Sequence, residues 1–214
     1  MKEKLKIINK LNYSIVGESG VGKTNLIRVV NGESFQEEIQ STISSSYYEK
    51  DIIINNKQYT YTLWDTAGQE AYRSLNKMFL KKSKIVIVVF ALNDKKSFNE
   101  VDFWVNNAKE ELKEGKYIMA LVGNKSDLFD EQEVPDDDVK KKADELKIDF
   151  KLTSAAEDAV GFKQFLEDLI RKYIKNIGVG KGLEKENTFN LNEKNDEENK
   201  EGNAVIATKK KKCC

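Results

Sequence analysis

A glycine-rich segment, Gly17–Thr24, is the feature that most limits how this chain can fold. Its residues, GESGVGKT, fit the pattern G-x-x-x-x-G-K-[ST], and they stand between an apolar run at 7–16 and an amphipathic run at 23–30. A strand, a glycine turn and a helix in that order aim backbone N–H groups at a bound phosphate, and the glycines let the backbone approach it closely. The segment therefore predicts a phosphate loop within an α/β domain.

The loop offers a defined group for each part of a nucleotide triphosphate. Lys23 is placed to bridge the β- and γ-phosphates as a catalytic cation, and the Thr24 hydroxyl to bind Mg²⁺. The backbone around the β-phosphate would come from Ser19, Gly20, Val21 and Gly22. Taken alone, this loop fits an ATPase or a small-molecule kinase equally well.

Apolar runs suited to buried strands alternate with segments of helical period along most of the chain. We expect strands at 7–16, 47–54, 57–64, 84–90, 117–122 and 150–153. The second and third form a hairpin across Asn55 and Asn56, and the others are joined by helical segments and so pair in parallel. The predicted fold is a phosphate-loop α/β domain with a mostly parallel six-stranded sheet, one antiparallel edge strand and helices on both faces.

Two apolar stripes predict core-facing helices in the second half of the chain. The first stripe, read as one helix, comprises Phe98, Val101, Val105, Ala108 and Leu112. The second comprises Phe162, Phe165, Leu166, Leu169, Ile170 and Tyr173. We expect the folded domain at 1–176 and a flexible tail at 177–214, where sequence rich in Asn, Glu and Lys cannot bury enough apolar area to fold.

The net charge and the positions of the cysteines limit the partners and the cellular compartment that we expect for this chain. The 36 basic and 36 acidic residues cancel, so no bulk attraction to nucleic acid is expected. Both cysteines stand at the C-terminus, which leaves the domain without a disulfide and favours a reducing cytosolic setting. The first residues lack the apolar core of a signal peptide, and the longest apolar run, 85–92, is too short to cross a bilayer.

The segment Asp65–Gln69, with the sequence DTAGQ, follows an apolar strand. We predict that this segment lies beside the metal ion and the attacking water. Asp65 can hold Mg²⁺ through a water, the Gly68 N–H can reach a γ-phosphate, and Gln69 can orient the attacking water. Thr42, nineteen residues beyond Lys23, is the candidate for a second hydroxyl on Mg²⁺ when the γ-phosphate is present. A solvated loop threonine remains the alternative for Thr42.

Asn124–Asp127, with the sequence NKSD, follows the strand at 117–122 and predicts a base-reading loop. The Asp127 carboxylate can accept hydrogen bonds from the N1–H and 2-amino group of guanine, a donor pair that adenine lacks. Lys125 would lie along the base and Asn124 would brace the loops. Ser154 and Ala155 would offer a backbone N–H to the guanine carbonyl. Phe35 would stack on the base, or else fill the core at a helix end.

These motifs, in this order and spacing over about residues 5–176, resemble the small GTPases of the Ras superfamily, and most closely the Rab family. Ser19 in the phosphate loop, Trp64 before DTAGQE and the paired terminal cysteines favour Rab. Tyr47, Trp64 and Phe79 fall where Rab proteins place an aromatic triad that effectors read, although ordinary packing at the sheet edge would explain them too.

Three positions depart from the family pattern. Ser44 replaces the usual glycine after the Thr-Ile pair, so the effector-facing segment is expected to bind atypical partners. Ala156 replaces the lysine whose stem lines the guanine pocket, which is expected to weaken nucleotide binding. Lys82 stands where a glycine is usual. The resemblance therefore implies a divergent member of no assigned subtype.

The resemblance implies a monomeric GTP/GDP switch in vesicle trafficking that hydrolyses GTP slowly. It implies an exchange factor, an activating protein, and effectors that bind the Thr42 and Gly68 loops. Cys213 and Cys214 resemble a double-geranylgeranylation site, which implies a prenylation escort and a GDP-dissociation inhibitor. The lysine run before them would add attraction to anionic lipid, placing the protein on the cytoplasmic face of an intracellular membrane, cycling with the cytosol.

Two other hypotheses about the function remain open from the sequence. A phosphate-loop kinase would need acceptor-binding arginines and a lid, and neither is apparent. A Rab-like scaffold deficient in hydrolysis and altered in nucleotide binding is favoured by Ser44 and Ala156 but opposed by Lys23, Thr42 and Gln69.

Overall fold

The computed structural model describes residues 9–37, 46–54, 56–65, 78–112 and 116–177. The strands are β1 (Asn9–Val16), β2 (Ser46–Ile54), β3 (Lys57–Asp65), β4 (Ile85–Ala91), β5 (Ile118–Asn124) and β6 (Asp149–Leu152). The helices are α1 (Lys23–Val30), α2 (Lys95–Asn99), α3 (Val101–Leu112), α4 (Asp136–Leu146) and α5 (Ala159–Ile177), with a 3₁₀ turn at Phe129–Glu131.

These strands form one six-stranded sheet in the order β2-β3-β1-β4-β5-β6. β2 pairs with β3 antiparallel, and every other neighbouring pair is parallel. The predicted sheet, with its single antiparallel edge strand, is confirmed. Because β3 lies on one side of β1 and β4 on the other, the chain changes direction across the sheet at β1.

The core lies on both faces of the sheet, as the unbroken apolar strand at 85–91 requires. Ile85, Ile87 and Val89 face α1 and α5, whereas their neighbours in β4 face α3 and α4. All seven residues of β4 are buried. The prediction of helices on both faces is therefore confirmed.

Helix α1 begins at Lys23, and its apolar face, with Leu26, Ile27 and Val30 buried, packs on the sheet. The predicted range of this helix is confirmed. Its start fixes the phosphate loop, because the loop must end where the first helical turn begins. The hairpin turn is also confirmed in part: Asn56 has a φ of 58°, the left-handed conformation that asparagine tolerates.

The prediction of one helix carrying Phe98 and Leu112 is wrong, although the predicted stripe is buried throughout. Phe98 belongs to the short helix α2, which Asp94 caps by accepting hydrogen bonds from the backbone N–H groups of Lys96 (3.0 Å) and Ser97 (3.2 Å). A new helix then begins at Val101. Spacing of apolar residues does not register such a break when both helices face the same core.

The last described helix ends close to the predicted end of the folded domain. Helix α5 runs to Ile177, one residue beyond the predicted domain end, and the rest of the predicted tail lies outside the described residues. In the described part of the chain, no helix is both long enough and apolar enough to cross a membrane.

Candidate nucleotide site

The parallel strands bring every described motif to one edge of the sheet. The phosphate loop follows β1, Asp65 ends β3, Asn124 ends β5, and Thr153 follows β6. The carboxyl ends of parallel strands share an edge, and ligands bind there beside the strand at which the connections reverse direction. β1 is that strand, so the loop after it lies at the expected position.

The conformation of the phosphate loop excludes side chains at two of its glycines. Gly17 has a φ of +145°, and a Cβ there would lie 2.0 Å from the Val89 carbonyl oxygen. Gly22 has a φ of +92°, and its Cβ would lie 2.3 Å from Asn124 Nδ2. At Gly20 no heavy atom of the described chain lies within 4 Å of the Cβ position. The loop is thus pressed against the protein at both ends and open at its middle, as a phosphate cradle requires.

Lys23 is buried at the first turn of α1, with 6% of its surface exposed. Its Nζ donates to the backbone oxygens of Gly17 (2.9 Å) and Glu18 (2.6 Å). Burial lowers its pKa to about 8, although the charges of Asp65 and Glu18 act in the opposite direction. An ammonium has three protons, and these two bonds use two of them, so with respect to the described residues one proton is left for a phosphate oxygen.

Thr24 and Asp65 meet beside that lysine. The Thr24 hydroxyl donates to Asp65 Oδ2 (2.9 Å), while Asp65 Oδ1 is buried and has no hydrogen-bond partner in the described part of the chain. Burial raises the pKa of Asp65, and the Thr24 hydrogen bond and the Lys23 charge only partly offset it. A buried carboxylate oxygen beside a hydroxyl is a donor set suited to a hard cation. These residues therefore fit Mg²⁺.

Asn124 joins three parts of the site. Its side chain is 1% exposed, and its Nδ2 donates to the Val21 carbonyl in the phosphate loop (2.8 Å). Its Oδ1 accepts from the Ala155 backbone N–H beyond β6 (3.1 Å). The bracing contacts expected of Asn124 are thus made, and they hold the phosphate loop and the 154–157 turn at fixed positions.

The hydrogen bond between Asn124 Oδ1 and the Ala155 N–H affects the guanine contact expected of Ser154 and Ala155. The Ala155 N–H is engaged by Asn124, and the Ser154 hydroxyl accepts from the N–H groups of Ala156 (3.0 Å) and Glu157 (3.1 Å). A guanine carbonyl would therefore have to share the Ala155 N–H with Asn124 Oδ1. Sequence gives no sign of this competition.

Lys125 and Asp127 lie on a tight turn after β5. Lys125 has a φ of 67°, and the Ser126 N–H donates to the Thr153 carbonyl (3.1 Å), which ties the turn to the end of β6. Both side chains are half-buried, and neither makes a hydrogen bond or ion pair to another residue within the described ranges. Their polar ends are available to a ligand.

Phe35 lies outside the core with 42% of its surface exposed, so the alternative of a helix-end core phenylalanine is wrong. Asn25 holds the neighbouring residue, because its side chain donates to the Gln36 carbonyl (2.7 Å) and accepts from the Gln36 N–H (3.1 Å). The two bonds hold the backbone next to Phe35 on α1 while the ring remains exposed. Asn25 follows the pattern residue Thr24, but sequence offers no signal for its partner.

Other predicted site residues, namely Thr42, Gly68, Gln69, Cys213 and Cys214, lie outside the described residues. The aromatic triad, by contrast, is assembled at the β2–β3 edge. The Trp64 ring lies 5.2 Å from that of Tyr47 and 4.6 Å from that of Phe79, centroid to centroid, and Tyr47 is 59% exposed.

Fold and site together define a phosphate-loop α/β domain in which the predicted base-reading loop follows β5. In comparisons with known proteins, the sequence profile of the Ras family matches residues 12–175. The chain is 34% identical to Ras-related protein Rab-44 of Mus musculus over 67% of this chain, which is 15% of that protein. It is 30% identical to Rab-22A of Canis lupus familiaris and 32% identical to Rab-31 of Mus musculus, each over 77% of this chain and 84% of the relative.

The chain therefore belongs to the Ras family, as a divergent Rab-like small GTPase. The resemblance predicted from its motifs is confirmed. Family membership also supports a GTP-binding switch as the general function, in agreement with the donor set at Thr24 and Asp65.

Proposed function

We propose that the protein is a membrane-anchored GTP/GDP switch that binds GTP with Mg²⁺, hydrolyses it slowly and recruits effectors in vesicle trafficking. The observation that carries this proposal is the meeting of Lys23, Thr24 and Asp65. A buried lysine lies beside a hydroxyl–carboxylate pair with one carboxylate oxygen unpartnered among the described residues. Such a site suits a phosphate chain with its cation, since it would neutralise charge on both.

Each residue of the phosphate side has a role in this proposal. Lys23 would place its charge on the β- and γ-phosphates, and the loop N–H groups at Ser19–Gly22 would surround the β-phosphate. Thr24 and Thr42 hydroxyls would hold Mg²⁺ directly, and Asp65 through a water. The ion would neutralise negative charge on the phosphate oxygens. The Gly68 N–H would contact the γ-phosphate, so the Thr42 and Gly68 loops would be ordered by GTP and relax after hydrolysis.

Hydrolysis would depend on Gln69, which would hold the attacking water in line with the γ-phosphate. The chain has three arginines, Arg28, Arg73 and Arg171, and none belongs to the Thr42 loop. Arg28 is engaged with Glu33 (3.2 Å) on α1. Intrinsic turnover would therefore be slow, and an activating protein would supply the missing positive charge in trans.

Base recognition would rest on Asp127, whose half-buried carboxylate makes no bond to the rest of the described chain. Pairing with the N1–H and 2-amino group of guanine would satisfy both of its oxygens. Lys125 and Phe35 would cover the base, and Ala155, with Ser154, would donate to the guanine carbonyl in competition with Asn124. An adenine base would leave Asp127 desolvated and unpaired, which is costly.

Regulators and effectors would read the state of the Thr42 and Gly68 loops. The exposed face of the Tyr47–Trp64–Phe79 triad lies beside the end of β3, next in sequence to the Gly68 loop, and would form part of the effector surface. An exchange factor would open the site so that the nucleotide can exchange. An activating protein would complete the cycle by promoting GTP hydrolysis.

Cys213 and Cys214 would carry two prenyl chains, added with an escort protein and masked by a GDP-dissociation inhibitor. Two chains anchor a protein stably where one is marginal. Replacing both cysteines with serine is expected to leave the protein wholly cytosolic in cell fractionation. The single replacements Cys213→Ser and Cys214→Ser serve as graded controls, and persistent membrane association of the double variant would contradict the anchor.

Turnover measured on the purified full chain tests the switch itself. With Mg²⁺ present, GTP should be converted to GDP and phosphate, and ATP should be neither bound nor consumed. GTP binding without any turnover would favour the hydrolysis-deficient scaffold, which Ala156 keeps open as a second candidate. Consumption of ATP with transfer to an acceptor would instead indicate a kinase.

A further inference from the structure

An acidic side chain stands inside the phosphate loop and is held by a residue far away in the sequence. The indole Nε1 of Trp104, in the first turn of α3, donates to Glu18 Oε1 at 3.0 Å. Trp104 is 1% exposed, so the donor is fixed by the packing of α3 on the sheet. The bond joins the second residue of the loop to the opposite face of the sheet from α1.

A carboxylate at this position opposes the ligand that the loop is expected to receive. A bound nucleotide brings several negative charges to the loop backbone, and like charges in a partly buried site repel each other with little screening. The direction of the Glu18 side chain therefore matters for affinity. The indole bond fixes that direction toward α3.

Glu18 also contacts Lys23, the residue proposed to bind the phosphates. Its backbone oxygen accepts the shorter of the two Lys23 Nζ bonds, at 2.6 Å. A shift of Glu18 would therefore move a carbonyl that holds the Lys23 ammonium. Through Glu18, α3 is connected to the lysine in a chain of two hydrogen bonds.

We propose that Trp104 is a positioning residue for nucleotide retention, which holds the Glu18 carboxylate away from the bound phosphates and fixes the loop carbonyl that carries Lys23. This inference rests on the proposed guanine-nucleotide function and adds a residue that lies outside the phosphate and base motifs. It makes two separable claims, one about the charge of Glu18 and one about the anchoring of the loop.

The test is the release rate of a fluorescent GDP from the full chain with Mg²⁺. Trp104→Phe keeps an aromatic ring but removes the donor, so it should weaken the hold on the Glu18 carboxylate and speed release about tenfold, as expected for loss of one hydrogen bond to a charged group. Glu18→Gln keeps an acceptor for the indole and removes the charge, so its release should be no faster than in the unaltered protein.

The double variant separates charge from packing. With Glu18→Gln in place, Trp104→Phe should accelerate release much less, because no carboxylate is left to approach the phosphates. If Trp104→Phe has the same effect in both backgrounds, the carboxylate charge plays no part in the effect and the charge claim is wrong. A release rate unchanged by Trp104→Phe would overturn the whole inference.

A second comparison avoids the core, where Trp104→Phe could unfold the protein. Glu18→Ala removes both the charge and the anchor, and Glu18→Gln removes only the charge, so release should be faster from Glu18→Ala. Equal rates in these two loop variants would refute the anchoring claim.

The contact itself can be observed without any nucleotide. The chain has two tryptophans, so Trp64→Phe leaves Trp104 as the sole indole emitter. Its emission should shift when Glu18→Ala is added, and an unchanged spectrum would show that the bond is absent and overturn the inference. If the spectrum shifts but the unaltered chain binds no guanine nucleotide, the proposed function fails, and the role in nucleotide retention fails with it.

Discussion

The predicted phosphate side and the predicted base side of the candidate site are built differently. On the phosphate side, Lys23, Asp65 and Asn124 are 6%, 1% and 1% exposed, and each is hydrogen-bonded to the protein. On the base side, Lys125 and Asp127 are half-buried without such bonds to the described residues, and Phe35 is 42% exposed.

The difference predicts that the two sides respond differently to substitution. A buried, paired group supports the fold as well as the ligand, so replacing it costs stability and binding together. A group that meets only the ligand can be lost without harm to the fold. Nucleotide affinity and the free energy of unfolding should therefore be coupled on the phosphate side and independent on the base side.

Asp127→Ala should show the largest loss confined to binding. Affinity for GDP should fall at least about a thousandfold, because two guanine donors lose their acceptor. Discrimination between GDP and inosine diphosphate, which lacks the 2-amino group, should disappear. Titration calorimetry measures both, and thermal unfolding of the nucleotide-free protein should be unchanged. Asp130→Ala, an exposed acid three residues further, is the control. A matching fall in stability would break the distinction between the two sides.

Asn124→Ala should damage both properties. Val21 and Ala155 each lose a partner in a buried region, so the free energy of unfolding should drop by about 3 kcal/mol. GDP affinity should fall roughly a hundredfold as the loop loosens. Denaturant unfolding and calorimetry check the two effects, with the exposed Ser126→Ala as control. Loss of affinity at full stability would place Asn124 with the base-side residues instead.

Gln69→Leu should lower the rate of GTP hydrolysis without changing the affinity for GTP. GTP binding should be retained, while hydrolysis in single-turnover assays should fall at least about tenfold, because the attacking water loses its hydrogen-bond partner. Gln164→Leu, on the exposed face of α5, controls for the added apolar side chain. Equal turnover in the Gln69 variant and the unaltered protein would refute this role.

Asp158→Ala should show the smallest effect, on stability alone. Asp158 accepts from the Gly161 N–H (3.0 Å), the Thr153 hydroxyl (3.0 Å) and Lys151 (3.0 Å), so its loss removes the cap of α5 and should cost about 1 kcal/mol. Although partial burial acts to raise its pKa, the Lys151 and Thr153 hydrogen bonds lower the pKa below its ordinary value of 3.8.

The contribution of Asp158 should therefore be present above about pH 4 and vanish as the pH falls through its lowered folded-state pKa. Glu157→Ala, a neighbouring exposed acid, is the control for charge. Unfolding curves for Asp158→Ala and the unaltered protein should converge at low pH. A constant gap between them would show that the carboxylate charge is not what stabilises the cap.

Much of the fold could be predicted because its signals are local. The range of α1 and the buried strand at 85–91 follow from apolar period and from the glycines that precede the helix. The break between α2 and α3 could not be predicted in this way, since both helices face the same core. It depends on the Asp94 cap, a short signal inside a longer periodic one.

The candidate site shows the same limit. Lys23, Thr24, Asp65 and Asn124 could be predicted as site residues from their motifs, and the strand ends bring them to one edge of the sheet. Contacts between distant residues had no such signal: Trp104 with Glu18, 86 positions apart, and Asn25 with Gln36. The backbone next to Phe35 is held by the second of these contacts, so sequence offers no signal for the position of this ring.

The most direct test of the central claim is the nucleotide carried by the purified full chain. The protein, prepared with Mg²⁺, is denatured and the released nucleotide is identified by chromatography. A guanine-nucleotide switch should release near-stoichiometric GDP or GTP and no adenine nucleotide. A protein that emerges empty and also fails to take up added GTP would contradict it.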